Sequence, residues 1–321
     1  MLTSLPGLAP GTVRRTVSLE ISPDPDWSAG LRVTALGRDL LAGGPGGSRV
    51  LRVTRMTVTI DTASRVTGIE SALAASVTGP LIGAPAASGF RARLAGLDGL
   101  EPPSLESAVL DELPTVRLIS GYARMIELPA TMTEQQAHRG ERSPMVGICA
   151  GWAPGATAHQ RVLAGAAIVT GTPPALAMTS MTPYFHAEPA PQPRSMRRRR
   201  ILDVAPRPAG YEVFGYFRDS HFDAELREGA LHEYEVHARV AADEGCTLEH
   251  IDVVPHALPF SECPLAAPSA ADLTGASLRE VTASVRERLT GTRSCTHLND
   301  TLRFLRYVPA LAELSKNAEA R

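Results

Sequence analysis

The sequence has no apolar run approaching the ~18 residues from which a membrane-spanning helix is read, and its opening, MLTSLPGLAPGTVRR, has neither a basic start nor a long apolar stretch. The reading is a cytoplasmic protein without a membrane partner. Cysteine is scarce: four in 321 residues are too few for a disulfide scaffold, so they are expected as thiols or metal ligands. Neither charge dominates. Lys+Arg of 32 against Asp+Glu of 34 argues against a nucleic-acid partner or a polybasic membrane surface. Aromatics make up only 5%, whereas Gly (27) and Pro (26) are plentiful, which favours many short elements over a long helical bundle. G-x-G-x-x-G, a P-loop, G-x-S-x-G and H-E-x-x-H are all missing, leaving nucleotide chemistry and serine hydrolysis without support.

What is present is an ordinary globular composition, 44% hydrophobic and 21% charged, laid out twice. β-branched or alternating segments at 12–21, 31–36, 49–60 and 66–73 predict strands, followed by a Pro/Gly break at 80–85 and helices near 88–97 and 105–127. Segments at 197–204, 211–217, 231–240 and 248–254 repeat the strands. Pro255, Pro259 and Pro264 repeat the break, and 271–289 and 295–314 repeat the helices, the last interrupted at Pro309. By alignment, RRTVSLEI from Arg14 faces RRRRILDV from Arg197, and the stretch from Arg52 faces that from His232. The expected fold is α+β: a tandem, pseudo-dimeric duplication of a small strand-rich α/β sandwich module, with residues 1–128 a degenerate copy and 197–321 the copy that carries chemistry. Residues 129–196 form a connector: polar 131–143, a Cys149-Ala-Gly-Trp152 element, a helix after Ala156, and a Pro-rich exit read as an extended linker. Arg197–Arg200 reads as a solvated linker end running into a strand, with phosphate contact the lesser reading.

Soft and imidazole side chains concentrate in the C-terminal half. His232 begins a strand, Cys263 follows one, and Cys295-Thr-His297 opens a helix, with Asp300 after it. Strand ends and helix starts are where ligands converge, and a helix N-terminus favours a thiolate. Sulfur and nitrogen donors together suit Zn²⁺ or iron. Taken singly, each residue reads first as a small buried hydrophobe, for Cys, or a hydrogen-bonded surface histidine, and only second as a ligand. Cys246, in the turn DEGCTL, reads as exposed, and His186 as a linker residue. The N-terminal copy has Arg52 where His232 stands, Ile82 near Cys263, and Arg117 or Leu118 near Cys295, so no metal is expected there.

The run Ser294-Cys295-Thr296-His297-Leu298, with His232 and Cys263, resembles the closing signature of an uncharacterised bacterial family, domain-of-unknown-function family 2889, over roughly 197–310. Ser294 and Glu233 depart from that family's Gly and Asp. The layout also resembles, more distantly, the NifU/SufU/IscU-type cluster scaffold, where a ligand starts a strand, another follows the next strand and a Cys opens a late helix. The order of donors implies a metal held by His232, Cys263, Cys295 and His297, zinc first and iron second. His297 and Asp300 are then the acid–base candidates, with Glu262 an auxiliary, and Cys149 and Trp152 a substrate wall. The expected function is a metal-dependent lyase, hydratase, isomerase or hydrolase acting on a small metabolite, in a chain that can form homo-oligomers. The alternatives are a metal or iron–sulfur carrier and a metal-free small-molecule binder.

Overall fold

The structure, a computed structural model, describes residues 7–43, 47–100, 103–127, 145–164, 166, 172–175 and 185–319. Eight strands form where alternation was read: β1 (Val13–Pro23), β2 (Gly30–Leu41), β3 (Arg49–Asp61), β4 (Val66–Ser71), β5 (Met196–Arg207), β6 (Gly210–Phe222), β7 (Glu228–Ala241) and β8 (Leu248–Pro255). They make one antiparallel sheet in the order β4-β3-β2-β1-β5-β6-β7-β8. Each half contributes a four-stranded meander, and the first strands of the two meanders pair with each other. The expectation of two separate sandwich modules is corrected on this point. Left alone, β1 and β5 would each present an unpaired edge, and pairing them satisfies both rows of backbone groups. One apolar cluster accordingly runs through both halves, from Val17, Val33 and Val58 to Phe217, Val236 and Leu302.

Helices cover one face of the sheet. Those longer than one turn are α1 (Phe90–Ala95), α2 (Leu105–Leu110), α3 (Leu113–Glu127), α4 (Thr157–Leu163), α5 (Val281–Arg288), α6 (Thr296–Arg303) and α7 (Val308–Glu319). The helix expected over 105–127 breaks at Asp111, and Pro114 sits in the first turn of α3, where its missing N–H is not needed. The helix expected over 271–289 is replaced by a 3-10 stretch, Cys263–Leu273, and the shorter α5. Pro268 lies inside the 3-10 stretch and removes a donor there. The last helix is interrupted at Phe304–Tyr307 rather than at Pro309, which sits in the first turn of α7.

Arg197–Arg200 is not a solvated linker end. All four lie within β5 and are almost completely buried. The pleat sends alternate side chains to opposite faces, so the run of like charge divides into two pairs. Arg198 and Arg200 turn toward the helices. There Arg198 pairs with Asp219 (2.7 Å), Glu112 (3.0 Å) and Asp300 (2.9 Å), and Arg200 with Glu112 (2.6 Å) and Asp300. Arg197 and Arg199 turn to the other face, to Glu20, Glu188 and Glu228. On that face the Pro-rich exit packs onto the sheet instead of running free. His186 is wedged between Thr16 Oγ1 (2.7 Å) and Ser18 Oγ (2.6 Å). Cys246 is buried too, at 7% exposure, against the expectation for its turn. The polar stretch 131–143 and residues 176–184 lie outside the described residues.

Candidate metal and substrate site

The site begins with a cross-strand register. Asp219 of β6 lies directly opposite Arg198 of β5 on one side and His232 of β7 on the other, with a bulge immediately after Asp219. Bulges re-aim side chains beside functional sites. Both Asp219 oxygens accept from Arg198, at 2.7 and 2.9 Å, and Oδ2 lies 3.7 Å from His232 Nδ1. Burial alone would raise the Asp219 carboxyl. The Arg198 guanidinium and the His232 imidazole outweigh it and hold that carboxyl well below the usual carboxylate range, so it is an anion.

His297 enters from the first turn of α6, and its ring stacks on that of His232 with centroids 3.6 Å apart and planes 17° from parallel. Burial, and then the neighbouring His232, push the His297 imidazole well below the ordinary histidine value. It is therefore neutral at pH 7, the form in which imidazole binds metals or accepts a proton. Asp219, His232 and His297 each offer a donor atom within 4.8 Å of the others, the one such group of three among the described residues. His232 Nδ1 is buried without a hydrogen-bond partner. A tetrahedral ion with bonds of about 2.0–2.2 Å separates its ligands by roughly 3.4 Å, close to the 3.7 Å between that nitrogen and Asp219 Oδ2. The donor set fits a divalent cation.

These groups lie at a cavity of about 320 Å³ whose remaining lining is largely apolar. Cys149, Trp152, Cys263, Cys295, His232 and His297, named from the sequence, all line it. The segment at Cys149 is tied to the start of α6 by Ala150 N–H donating to the Ser294 carbonyl at 2.8 Å. Gly151 is needed there, because a Cβ would meet Cys263 Sγ at 2.7 Å. Burial pushes the Cys263 thiol up to about 12 and raises that of Cys149 as well, so both are neutral thiols in the metal-free protein. The donor group differs from the expected one. Asp219 joins the two imidazoles, while Cys263 and Cys295 stand on the cavity wall outside that group.

Two further expectations are corrected. Asp300, one turn beyond His297, does not line the cavity. Its carboxylate is engaged by Arg91 (2.7 Å), Arg198 and Arg200, which makes it a buried counter-ion. Glu262 accepts from the Thr157 N–H and hydroxyl, both at 2.9 Å, and anchors the start of α4. The site is also not confined to the C-terminal half: Leu118, Ile119, Tyr122 and Met125 of α3 form one wall. Leu118, an apolar side chain left half-exposed, belongs to that wall.

Residues 196–310 match the model of a family described as a protein of unknown function (DUF2889). The matched span contains Asp219, His232, Cys263, Cys295 and His297 but neither α3 nor the Cys149–Trp152 segment. No curated protein and no solved structure matches the chain. Among the described residues, no helix is long and apolar enough to cross a membrane.

Proposed function

We propose that the protein is a metal-dependent enzyme acting on a small, largely apolar metabolite that carries an oxygen function. The observation that carries this reading is the stacked His232–His297 pair, with the anionic Asp219, at an apolar cavity of about 320 Å³. Such a pocket, mostly apolar with a few convergent polar groups, is the usual form of a small-molecule site. His232, His297 and Asp219 would hold the ion. Zinc is the first expectation, and iron is also compatible with two imidazoles and a carboxylate. When bound, the ion supplies a Lewis acid for a substrate oxygen or for water.

The chain's own groups do the rest. Arg198 locks the Asp219 carboxylate through two hydrogen bonds, which keeps that carboxylate facing His232. Trp152, Phe260 and the α3 side chains exclude water and orient the apolar body of the substrate. The Cys263 and Cys295 thiols, held neutral in the resting pocket for Cys263, lie where they can contact the substrate or complete the ligand set. Lyase, hydratase, isomerase and hydrolase reactions all suit this arrangement. A metal carrier is less favoured, because its site needs no apolar pocket and this one adjoins a largely apolar cleft of small-molecule size.

The test is metal analysis of protein produced with zinc and iron supplied, for the wild type and for His232→Ala and His297→Ala, followed by a search for chelator-sensitive turnover of small oxygenated acids and alcohols. About one ion per chain in the wild type, lost in both variants with folding retained, is expected. Substoichiometric metal that is unchanged in the variants would overturn the metal-dependent reading.

A further inference from the structure

A second cavity, of about 760 Å³, opens where α1 of the N-terminal half meets α5, α6 and α7 of the C-terminal half. Five arginines line it, namely Arg91, Arg279, Arg286, Arg303 and Arg306, and Glu313 is the one carboxylate in the lining among the described residues. In a chain of net charge -2 this is a local excess of one sign, and clefts lined by one sign of charge concentrate counter-ions.

The five are not equally satisfied. Arg91 pairs with Asp111 at 2.8 Å and Asp300 at 2.7 Å. Arg306 donates to the Tyr307 hydroxyl at 2.6 Å and lies 3.3 Å from Asp111. Arg279 donates to the Glu244 carbonyl at 2.8 Å and holds Glu313 only loosely, at 3.7 Å. Arg286 and Arg303 have no hydrogen bond or ion pair with any described residue. Burial lowers the Arg303 pKa, and the charges of Arg91 and Arg286 lower it further against the pull of Asp300 and Asp111. Arg303 is half-buried and repelled by Arg91 and Arg286, and the two carboxylates that attract it, Asp300 and Asp111, make no ion pair with it, so an anion in the cleft would improve its surroundings. Asp300 and Asp111 cannot serve, since Arg91, Arg198, Arg200 and Arg306 already engage them.

We propose that this arginine cleft is a binding site for a small polyanion of the pyrophosphate class, with Arg286 and Arg303 as its principal contacts and Arg279 as a third. The guanidinium fork matches phosphate oxygens two at a time, which favours phosphate over a point-like carboxylate. The half-buried Arg303, with the exposed Arg286 and Arg279 beside it, offers a ligand two or three positive charges close together. The volume takes more than one phosphate group, and Ala92, Ala95 and Ala310 in the lining leave that space open. A concave cleft on a near-neutral chain is also unlike the long basic surface that nucleic acid requires.

Calorimetric titration with inorganic pyrophosphate, at a salt of about 0.1 M to limit screening, tests the proposal. Saturable binding, at least about tenfold tighter than sulfate at equal ionic strength, is expected. Arg286→Gln/Arg303→Gln should lose at least about tenfold of that affinity, with a thermal midpoint equal to or above the wild type because like-charge repulsion has been removed. Arg303→Lys, which retains the charge and loses the fork, should bind with intermediate affinity and keeps the test intact should the double variant fold poorly. Pyrophosphate binding no better than sulfate, or binding indifferent to these substitutions, would overturn the proposal. So would a preference for an oligonucleotide over pyrophosphate.

Discussion

The two halves of the sheet place the same cross-strand row at the same point and furnish it differently. In the N-terminal half the row is Arg15–Asp39–Arg52, and in the C-terminal half Arg198–Asp219–His232. In both, a bulge follows the aspartate immediately. In both, the arginine and aspartate form a buried pair, with Nε to Oδ1 at 2.8 Å for Arg15 and 2.7 Å for Arg198. The third position separates them. Arg52 is exposed, whereas His232 is mostly enclosed and stacks on His297. The first 128 residues contain neither histidine nor cysteine. The comparison teaches that the Arg–Asp pair is common to both halves, and that the third residue of the row decides whether it joins a group of possible metal donors. The N-terminal half is not idle, since its α3 walls the cavity of the other half.

The largest expected effect tests the framework. Asp39→Ala leaves Arg15 buried with only the Pro103 and Ser104 carbonyls, and should cost about 3–5 kcal/mol in urea unfolding. Asp219→Ala should cost distinctly less, because Glu112 and Asp300 still neutralise Arg198. Of the two, only Asp219→Ala should lower metal content. If Asp39→Ala lowered it equally, the separation of framework from chemistry would fail.

An effect confined to acid pH concerns the other face, where Ser18 of β1 lies opposite Arg199 of β5. Burial, and then Arg38, Arg199 and Arg197, push the His186 imidazole from 6.5 down to about 3. The unfolded chain therefore takes up this proton at a higher pH than the folded one. The contribution of His186 is full above pH 6.5 and declines as the pH falls toward about 3, by about 1.4 kcal/mol per unit within that window. Stability measured against pH should lose that part of its slope in His186→Asn, and an identical slope in wild type and variant would contradict it. The smallest effect is that of Arg52→His. At an exposed position it should shift stability by no more than about 0.5 kcal/mol, and metal stoichiometry should stay unchanged because no second imidazole lies in that half. A second bound ion would show that the N-terminal row needs only its histidine restored.

Much of this was legible beforehand. β-branched and partly alternating segments located the eight strands, although the central β1, β5 and β6 are buried on both faces. The spacing that set Arg52 against His232 is the one the strand register displays. Asp219 was missed, yet a trace of it exists. Arg38-Asp39 and Arg218-Asp219 are the same dipeptide at the separation that relates Arg52 to His232. The arginine run was misread because a string of like charges looks solvated in one dimension. The pleat and the distant Glu20, Glu112, Asp219 and Asp300 neutralise it in three.

By itself, the sequence determined the strands, the repeated order of elements and the histidines and cysteines that line the cavity, since these follow from local periodicity and residue type. Only the tertiary structure decided that the halves share one sheet, that Asp219 rather than a thiol joins the imidazoles, and that Asp300 is a counter-ion. Edge pairing, cross-strand register and buried charge neutralisation each depend on residues far apart in the chain. Their partners are chosen by packing and by the cost of leaving a charge or a backbone group alone in the interior.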